Sequence, residues 1–260
     1  MIGGNSLSAA SITKNLGTRF IGQSVIYYPS LTSTNEMAKR KAQQGAVEGT
    51  VILADEQTAG RGRLKRVWLS PRGNIALSII LYPNMAHLPS IIMLASLAVV
   101  HSIKAVAGLN SQIKWPNDVL INGRKVCGIL IESDVQGNTV NYTIIGIGIN
   151  VNLKLADFAE VPPDATSLTD ELGRDVSRPS LIRCLLVEIE RLYSVLSTGG
   201  SVYEDWRDSL VTLGRKVRVN TGEAIYEGVA ESVTKDGSLL LRNMDGGVTR
   251  VVAGDVTLHD

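Results

Sequence analysis

The sequence predicts an α+β fold, in which a mixed, mostly antiparallel sheet is flanked by helices and a small SH3-like β-barrel follows at the C-terminus. Three observations lead to this prediction. A central stretch alternates strand-like runs with hairpin turns, apolar segments on either side show helical spacing, and short β segments dominate after Gly214. The predicted division is therefore a main domain of residues 1–213 and an appendage of residues 214–260.

The first predicted helix follows Ser33, because Ser33 and Glu36 have the spacing of a capping box and Gly45 is a suitable helix stop. Apolar patterning then predicts strands in TVILADEQ and GNIALSIILY, an apolar helix over 88–108, and antiparallel strands over 113–152. Hairpin turns are expected at 122–123 and 137–138. Three further helices are predicted, at 164–173, 179–196 and 201–213.

Composition limits the classes of function. The chain of 260 residues has 26 Lys and Arg against 25 Asp and Glu, a net charge of +1, whereas nucleic-acid-binding domains usually carry a basic excess. Cys127 and Cys184 form no disulfide framework, which favours a reducing, cytoplasmic environment. The N-terminus lacks the pattern of a secretory signal, and the apolar run IIMLASLAVV is too short to span a bilayer. The three histidines have no spacing typical of a metal site.

The most basic segment is AGRGRLKRVW at 59–68. Gly60 and Gly62 allow backbone conformations closed to other residues, and the arginines add permanent charge and forked hydrogen-bond donors. The loop is therefore suited to a polyphosphate, or to a carboxylate beside a phosphate. It matches neither the Walker A pattern nor the dinucleotide fingerprint. A solvated basic turn is the alternative for this loop taken alone.

A second candidate segment is KWPNDVLINGRKVCGIL at 114–130. The predicted hairpin brings Lys114 and Lys125 towards one site. Asp118 is the best carboxylate for a Mg²⁺ ion that also contacts substrate phosphates. The alternative is that Asn117 and Asp118 only form a turn and that Lys125 is a solvated strand residue.

A third candidate is GIGIN at 146–150, where two glycines interrupt an apolar strand. Glycines weaken a strand unless something must approach the backbone closely. A flat ring system packed against the strand would explain them, and a β-bulge would explain them equally well. Asn150, just beyond, is placed to hydrogen-bond a ligand.

Four segments together carry a family resemblance. They are STN at 33–35, EQTAGRGRLKRVW at 56–68, KWPNDVLINGRKVCGIL at 114–130 and GIGINVN at 146–152. In this order and spacing, the chain resembles biotin protein ligases from about residue 28 to residue 152. The resemblance implies a catalytic domain related to class II aminoacyl-tRNA synthetases. It implies an enzyme that joins biotin to ATP with Mg²⁺, holds biotinyl-5′-AMP and passes biotin to a lysine of a carboxylase's biotin carboxyl carrier protein.

The resemblance also implies roles for individual residues. For biotin binding it implies Ser33, Thr34, Asn35, Gln57, Gly60, Arg61, Gly62, Arg63, Lys125, Gly128, Gly146 and Gly148. For ATP or the adenylate it implies Arg63, Arg66, Trp68, Lys114, Asn117, Lys125 and Asn150. The implied catalytic set is Lys125, Arg63 and Asp118, and Asp118 would also serve the metal.

The chain departs from the family pattern in the loop and in the C-terminal segment. The family loop usually reads GRGRxGRxW, and Lys65 stands where the later glycine is expected. Asp255 and His259 stand where some members have an acidic and a basic residue facing the nucleotide. About 27 residues precede Tyr28, too few for the helix-turn-helix of longer members, so no repressor activity is expected. Family members are often dimers through the main sheet, so the resemblance implies a homodimer.

Two other functions fit parts of the pattern. A lipoate or octanoate transferase shares the implied fold, although the arginine loop and the STN segment favour biotin. A nucleic-acid-binding module with a β-barrel tail would explain the basic loop, but the net charge of +1 disfavours it.

Overall fold

The computed structural model describes residues 6–158 and 161–259, with two sheets that follow one another along the chain. The helices are α1 (Ala9–Thr13), α2 (Thr34–Gln43), α3 (Leu88–Ala107), α4 (Leu168–Leu172), α5 (Arg178–Ser197) and α6 (Tyr203–Asp208). The first sheet contains β1 (Val25–Tyr28), β2 (Val51–Ala54), β3 (Ile75–Leu81), β4 (Gln112–Lys114), β5 (Asp118–Ile121), β6 (Arg124–Gln136) and β7 (Thr139–Ile149). The second contains β8 (Lys216–Asn220), β9 (Ile225–Val233), β10 (Leu239–Arg242), β11 (Val248–Val251) and β12 (Asp255–Leu258).

The first sheet has seven strands in the order β1-β2-β3-β7-β6-β5-β4. Only the β1–β2 pair is parallel among these neighbours, which confirms the prediction of a mixed, mostly antiparallel sheet. Asn122 and Gly123 have φ angles of 50° and 78°, and they join β5 to β6 as the two-residue turn that the sequence predicts. The long β6–β7 hairpin forms the centre of this sheet.

Helices cover both faces of the sheet. Val51 and Leu53 of β2 belong to the main core with α3 and α5, whereas Ile52 belongs to a smaller cluster with α2. By length and composition the helical stretch Met85–Ala107 is apolar enough to cross a membrane, but 61% of its most apolar stretch is buried in this protein. Gly108, at φ 72°, ends α3 as a left-handed cap. The apolarity of α3 is therefore that of a core helix.

Two predicted helices are shorter than expected because their flanking residues pair with the main sheet. The helix predicted over 201–213 is only α6, since the main chain of Ile113 binds Ser209 O and Val211 N at 2.9 Å each. The helix predicted over 164–173 is only α4, since Lys125 exchanges main-chain hydrogen bonds with the segment before it.

The C-terminal strands form an open antiparallel sheet in the order β11-β10-β9-β8-β12. The small SH3-like barrel that the sequence predicts is therefore an antiparallel sheet that does not close. A barrel needs its two edge strands to pair, and no pairing joins β11 to β12 in the described part of the chain. The sheet packs against the end of β4, where the Trp115 indole donates a hydrogen bond of 2.8 Å to Gly237 O. Trp115 is 1% exposed, so it is a core residue.

Candidate active site

A cavity of about 670 Å³ lies between the central strands and the arginine loop at 59–68, a size suited to a small-molecule ligand. Of the residues that the sequence singles out, those lining it are Ser33, Thr34, Asn35, Gln57, Arg61, Gly62, Arg63, Arg66, Trp68, Lys114, Asn117, Asp118, Lys125, Gly128, Gly146, Gly148, Asn150 and Asp255. Gly60 is buried and does not line the cavity. It has no room for a side chain, because a Cβ atom there would collide with the backbone carbonyl oxygen of Trp68.

One end of the cavity carries hydroxyl and amide groups from the start of α2. Gln57 Oε1 accepts hydrogen bonds from the backbone N–H of Thr34 at 2.8 Å and from its hydroxyl at 3.1 Å. The hydroxyl of Ser78 on β3 lies 2.8 Å from Thr34 Oγ1 and 2.6 Å from Asn35 Oδ1. This end is thus a prearranged surface of hydrogen-bonding groups. Ser78 is not among the site residues predicted from the sequence. The signal for it is that it carries the one hydroxyl within the buried run IALSIIL.

The predicted capping box at the start of α2 is wrong. Ser33 has the extended backbone of an N-cap residue, but its side chain makes no capping hydrogen bond. Its partner Glu36 instead forms an ion pair with Arg61 of the loop. Ser33 instead lines the cavity.

The glycines of β7 form the floor of the cavity. Gly146 and Gly148 pair in regular register with both neighbouring strands, so the β-bulge alternative is wrong. A Cβ atom at Gly146 would lie 2.8 Å from Cγ of Asn35, and one at Gly148 would lie 2.8 Å from Cζ2 of Trp68. The close approach that these glycines permit is therefore made by two side chains of the same protein.

The other end of the cavity is charged. Asp118 is 9% exposed and lies between two lysines, with Lys125 Nζ 2.7 Å from Oδ1 and Lys114 Nζ 3.5 Å from Oδ2. Lys125 Nζ also lies 5.6 Å from the centroid of the Trp68 ring, within cation–π range. The sequence therefore correctly predicts that Lys114 and Lys125 approach one site.

The surroundings of Asp118 do not form a metal site made by protein side chains alone. Both of its oxygens already face ammonium groups. Within residues 6–158 and 161–259, no group of three or more His, Cys, Asp or Glu side chains is placed to hold a metal. The role of Asp118 as a magnesium ligand stays a prediction.

The arginine loop contacts both sheets. Arg63 Nη1 donates to Asn117 Oδ1 at 3.1 Å and to Gly254 O at 3.3 Å, and Arg66 pairs with Asp255 at the start of β12. Burial lowers the pKa of Arg63, and the carboxylates of Asp255 and Asp118 oppose this shift, so the guanidinium stays charged at neutral pH. Asp255 lines the cavity, whereas the exposed His259 does not.

The loop closes on itself as a small hairpin. Gly62 N binds Arg66 O at 2.8 Å, and Trp68 N binds Gly60 O at 2.9 Å. Leu64 adopts the left-handed conformation at φ 52°, which costs a non-glycine residue about 1–2 kcal/mol. The side chain of Lys65, which replaces the family's glycine, lies outside the described part of the structure.

Asn150, at the end of β7, is 7% exposed. Its Nδ2 donates to Thr166 O at 3.1 Å, and its Oδ1 accepts from Asn74 Nδ2 at 3.3 Å. Asn150 thus ties the floor of the cavity to the segment before α4. Its predicted contact with an adenylate stays a prediction, and Asn74 is a further residue that the sequence analysis missed.

Two family models match the chain. The biotin/lipoate A/B protein ligase family matches residues 27–150, and the biotin protein ligase C-terminal domain matches residues 212–258. The bifunctional ligase/repressor BirA of Bacillus spizizenii is 39% identical, over 97% of this chain and 79% of that protein. The biotin--[acetyl-CoA-carboxylase] ligase of Paracoccus denitrificans is 35% identical, over 82% of this chain and 92% of that protein.

A solved structure has the same fold. It is a biotin protein ligase from Aquifex aeolicus in complex with biotin and ATP, 28% identical, with a TM-score of 0.76. The similarity covers 91% of this chain and 99% of that chain, so it extends over both sheets.

Proposed function

The chain belongs to the biotin/lipoate A/B protein ligase family, and we propose that it activates biotin with ATP to biotinyl-5′-AMP and then biotinylates a carboxylase's biotin carboxyl carrier protein. One observation carries this proposal: a single cavity joins a hydroxyl and amide end, a glycine floor and two lysines beneath an arginine loop. Relatives named as biotin ligases, and a neighbour bound to biotin and ATP, support the same substrates.

The polar end would take the ureido group of biotin. Ser33, Thr34 and Gln57 offer hydroxyl and amide groups, and the positions of Thr34 and Gln57 are set by their hydrogen bonds with each other and with Ser78. The carboxylate of biotin would then point along the glycine floor towards Lys125. A site built on hydrogen bonds also rejects analogues that lack the matching groups.

Adenylation brings two anions together. A carboxylate oxygen of biotin bonds to the α-phosphorus of ATP, and the bond from that phosphorus to the bridging oxygen of pyrophosphate breaks. Lys125, Arg63 and Arg66 would offset the repulsion and stabilise charge in the in-line transition state. Asp118 would hold Lys125 in place, through the ion pair of 2.7 Å. Mg²⁺ would enter with the ATP phosphates, since such ions need few protein ligands.

The mixed anhydride must be protected until the acceptor arrives. Trp68 and the loop would cover it and exclude water. In the transfer, an unprotonated lysine of the carrier attacks the carbonyl carbon, an amide forms and AMP leaves. Asp118 is the buried carboxylate beside this position and would orient the incoming amine.

The remaining parts of the proposal concern organisation. A catalytic domain of residues 1–213, with the core of a class II synthetase, and a C-terminal domain of residues 214–260 are supported by the family match over 212–258 and by the start of β8 at Lys216. We also propose a homodimer through the main sheet and a cytoplasmic location, on the strength of the family resemblance and the two free cysteines. Nucleic acid and membrane are not among the proposed partners.

The test is an assay of pyrophosphate release and carrier labelling with biotin, ATP and Mg²⁺. We expect biotin-dependent release, a strong loss in Lys125→Ala, and release of free adenylate in Arg63→Ala. Arg250→Ala is the matched control, because it removes an arginine paired with Asp236 and neither residue lines the cavity. Release that depends on lipoate and not biotin would assign the chain to the other branch of its family. No pyrophosphate and no labelled carrier would contradict the proposal.

A further inference from the structure

A half-buried carboxylate, Glu132, lies beside the cavity and belongs to none of the residue sets above. Side chains alternate along a strand, so β6 presents Gly128, Leu130 and Glu132 on one face. The first two line the cavity. Glu132 is therefore the next position on the same face, opposite α2.

Glu132 accepts contacts from two residues one turn apart on α2. Its Oε2 accepts from Asn35 Nδ2 at 2.7 Å, and its Oε1 from Lys39 Nζ at 2.6 Å. Burial raises the pKa of Glu132, but the hydrogen bonds from Lys39 and Asn35 and the charge of Arg61 outweigh this and hold the pKa below its usual value. The side chain is thus an anion at neutral pH.

The same carboxylate faces the arginine loop. Arg61 Nη2 lies 3.6 Å from Glu132 Oε1 and pairs more closely with Glu36 Oε1. Lys39 lies 3.5 Å from that same Glu36 oxygen, so two cations and two carboxylates form one cluster. Arg61 is therefore held at the beginning of the loop by acidic groups from both α2 and β6.

The Asn35 amide is oriented by the same contact. Its Nδ2 donates to Glu132, which leaves its Oδ1 to accept from the Ser78 hydroxyl at 2.6 Å. Asn35 lies directly over Gly146, where a Cβ atom would displace it. A change at Glu132 therefore reaches the polar end of the cavity and the loop by separate contacts.

We propose that Glu132 is a positioning residue that couples the polar end of the cavity to the arginine loop. It fixes the Asn35 amide for ligand binding and holds Arg61 so that the loop stays over the cavity. The inference rests on the proposed function, because the ligand at the polar end is taken to be biotin. Asn35 lies at the polar end and Arg61 lies in the loop, and Glu132 contacts both. Loss of the Glu132 charge should therefore loosen the loop and weaken ligand binding together.

The experiment combines limited trypsin digestion with biotin titration. The loop contains Arg61, Arg63 and Arg66, so its cleavage reports how firmly it is held. For Glu132→Gln we expect about three- to fivefold faster loop cleavage without ligand and a similar rise in the biotin Kd, as for loss of a partly exposed ion pair. Glu188→Gln is the matched control, since Glu188 is also part-buried and pairs with Arg191 on α5, away from the cavity. It should change neither quantity.

A second variant separates the two contacts. Glu36→Gln removes a partner of Arg61 without touching Asn35, so it should speed loop cleavage and leave the biotin Kd unchanged. If Glu132→Gln does not fold, Glu132→Asp takes its place, because it shortens the side chain away from Asn35 and Arg61 while keeping the charge. Wild-type cleavage together with a wild-type biotin Kd in Glu132→Asp would then overturn the proposal.

Three other results would also overturn the proposal. Glu132→Gln could match the control in both quantities, or it could change the biotin Kd without changing loop cleavage. Faster cleavage in Glu36→Gln alone would assign the anchoring to Glu36. Wild-type protein that binds no biotin would contradict the proposed function itself, and faster cleavage in Glu132→Gln would then describe loop anchoring without coupling.

Discussion

The indole ring of Trp68 rests on the backbone of Gly148, so closely that a Cβ atom there would lie 2.8 Å from Cζ2 of the ring. The arginine loop and the glycine floor of the cavity therefore pack directly against each other. Trp68 is the one partly exposed tryptophan of the three, since Trp115 and Trp206 are each 1% exposed. The fluorescence of Trp68 should therefore report movement of the loop relative to the floor of the cavity.

The first prediction concerns Gly148→Ala. The added methyl group must displace the indole ring, at a cost of about 1–3 kcal/mol. We expect the rate of adenylation to fall roughly tenfold or more, and the fluorescence response to biotin and ATP to be lost. Gly128→Ala should act more weakly, because a Cβ atom there lies 3.1 Å from Cζ3 of the ring. Equal effects of the two variants would contradict this account.

The second prediction concerns Gly146→Ala. The methyl group would push Asn35 away and break its hydrogen bond with Ser78. Calorimetry should find biotin binding weakened roughly tenfold. Ser78→Ala removes the same hydrogen bond without adding bulk, and one such bond contributes about 1 kcal/mol, roughly fivefold in Kd. Wild-type affinity in Gly146→Ala would mean that Asn35 does not contribute to the biotin site.

The third prediction concerns the contact between the loop and the C-terminal sheet. Asp255 pairs with Arg66, so it competes with phosphate groups for that arginine. Asp255→Asn should lower the KM for ATP about twofold, and Arg66→Gln should raise it. Asp236→Asn breaks a comparable ion pair with Arg250 elsewhere in the same sheet and should leave the KM unchanged. A KM that rises in Asp255→Asn would show that the carboxylate assists the nucleotide instead.

The fourth prediction concerns stability. Glu190 accepts backbone N–H hydrogen bonds from Arg19, Phe20 and Ile21 at 2.7, 2.9 and 3.0 Å. Burial raises the pKa of Glu190, and these three bonds outweigh it, so the pKa lies below its usual value. Replacing the anion in Glu190→Gln should cost about 1–3 kcal/mol and lower the Tm at neutral pH.

The pH dependence of that difference follows from its sign. A lowered carboxyl pKa stabilises the fold fully above the ordinary glutamate value of about 4.3, and the stabilisation disappears as the pH falls through the folded value. The Tm of wild type and Glu190→Gln should therefore converge in acid. Glu227→Gln, which removes an exposed partner of Arg218, should match wild type at every pH. A Tm difference that persists in acid would contradict the assignment.

Much of the main sheet and the site was predictable because the signals are local. Hairpin glycines at positive φ, helical spacing in α3 and α5, and an ordered set of motifs lie within short windows. The long-range contacts were not predictable. Asn35 and Glu132 are 97 residues apart and meet only because α2 packs beside β6. Ser78 is likewise an isolated hydroxyl until the fold brings it to Asn35, 43 residues away.

The wrong predictions have the same origin. Ser33 and Glu36 satisfy a local rule, but Arg61 binds Glu36 and the capping contact is not made. Closure of the C-terminal sheet depends on whether its edge strands meet, and strand patterning within the sequence does not specify that. Tertiary contacts decide both cases.

The central claim is that one cavity holds biotin and the nucleotide under the arginine loop. The most direct test is calorimetric titration of biotin with and without a non-hydrolysable ATP analogue in the presence of Mg²⁺. We expect one biotin per chain, several-fold tighter binding with the analogue, and loss of that enhancement in Arg63→Ala. No biotin binding, or the same affinity with and without the analogue, would contradict the account.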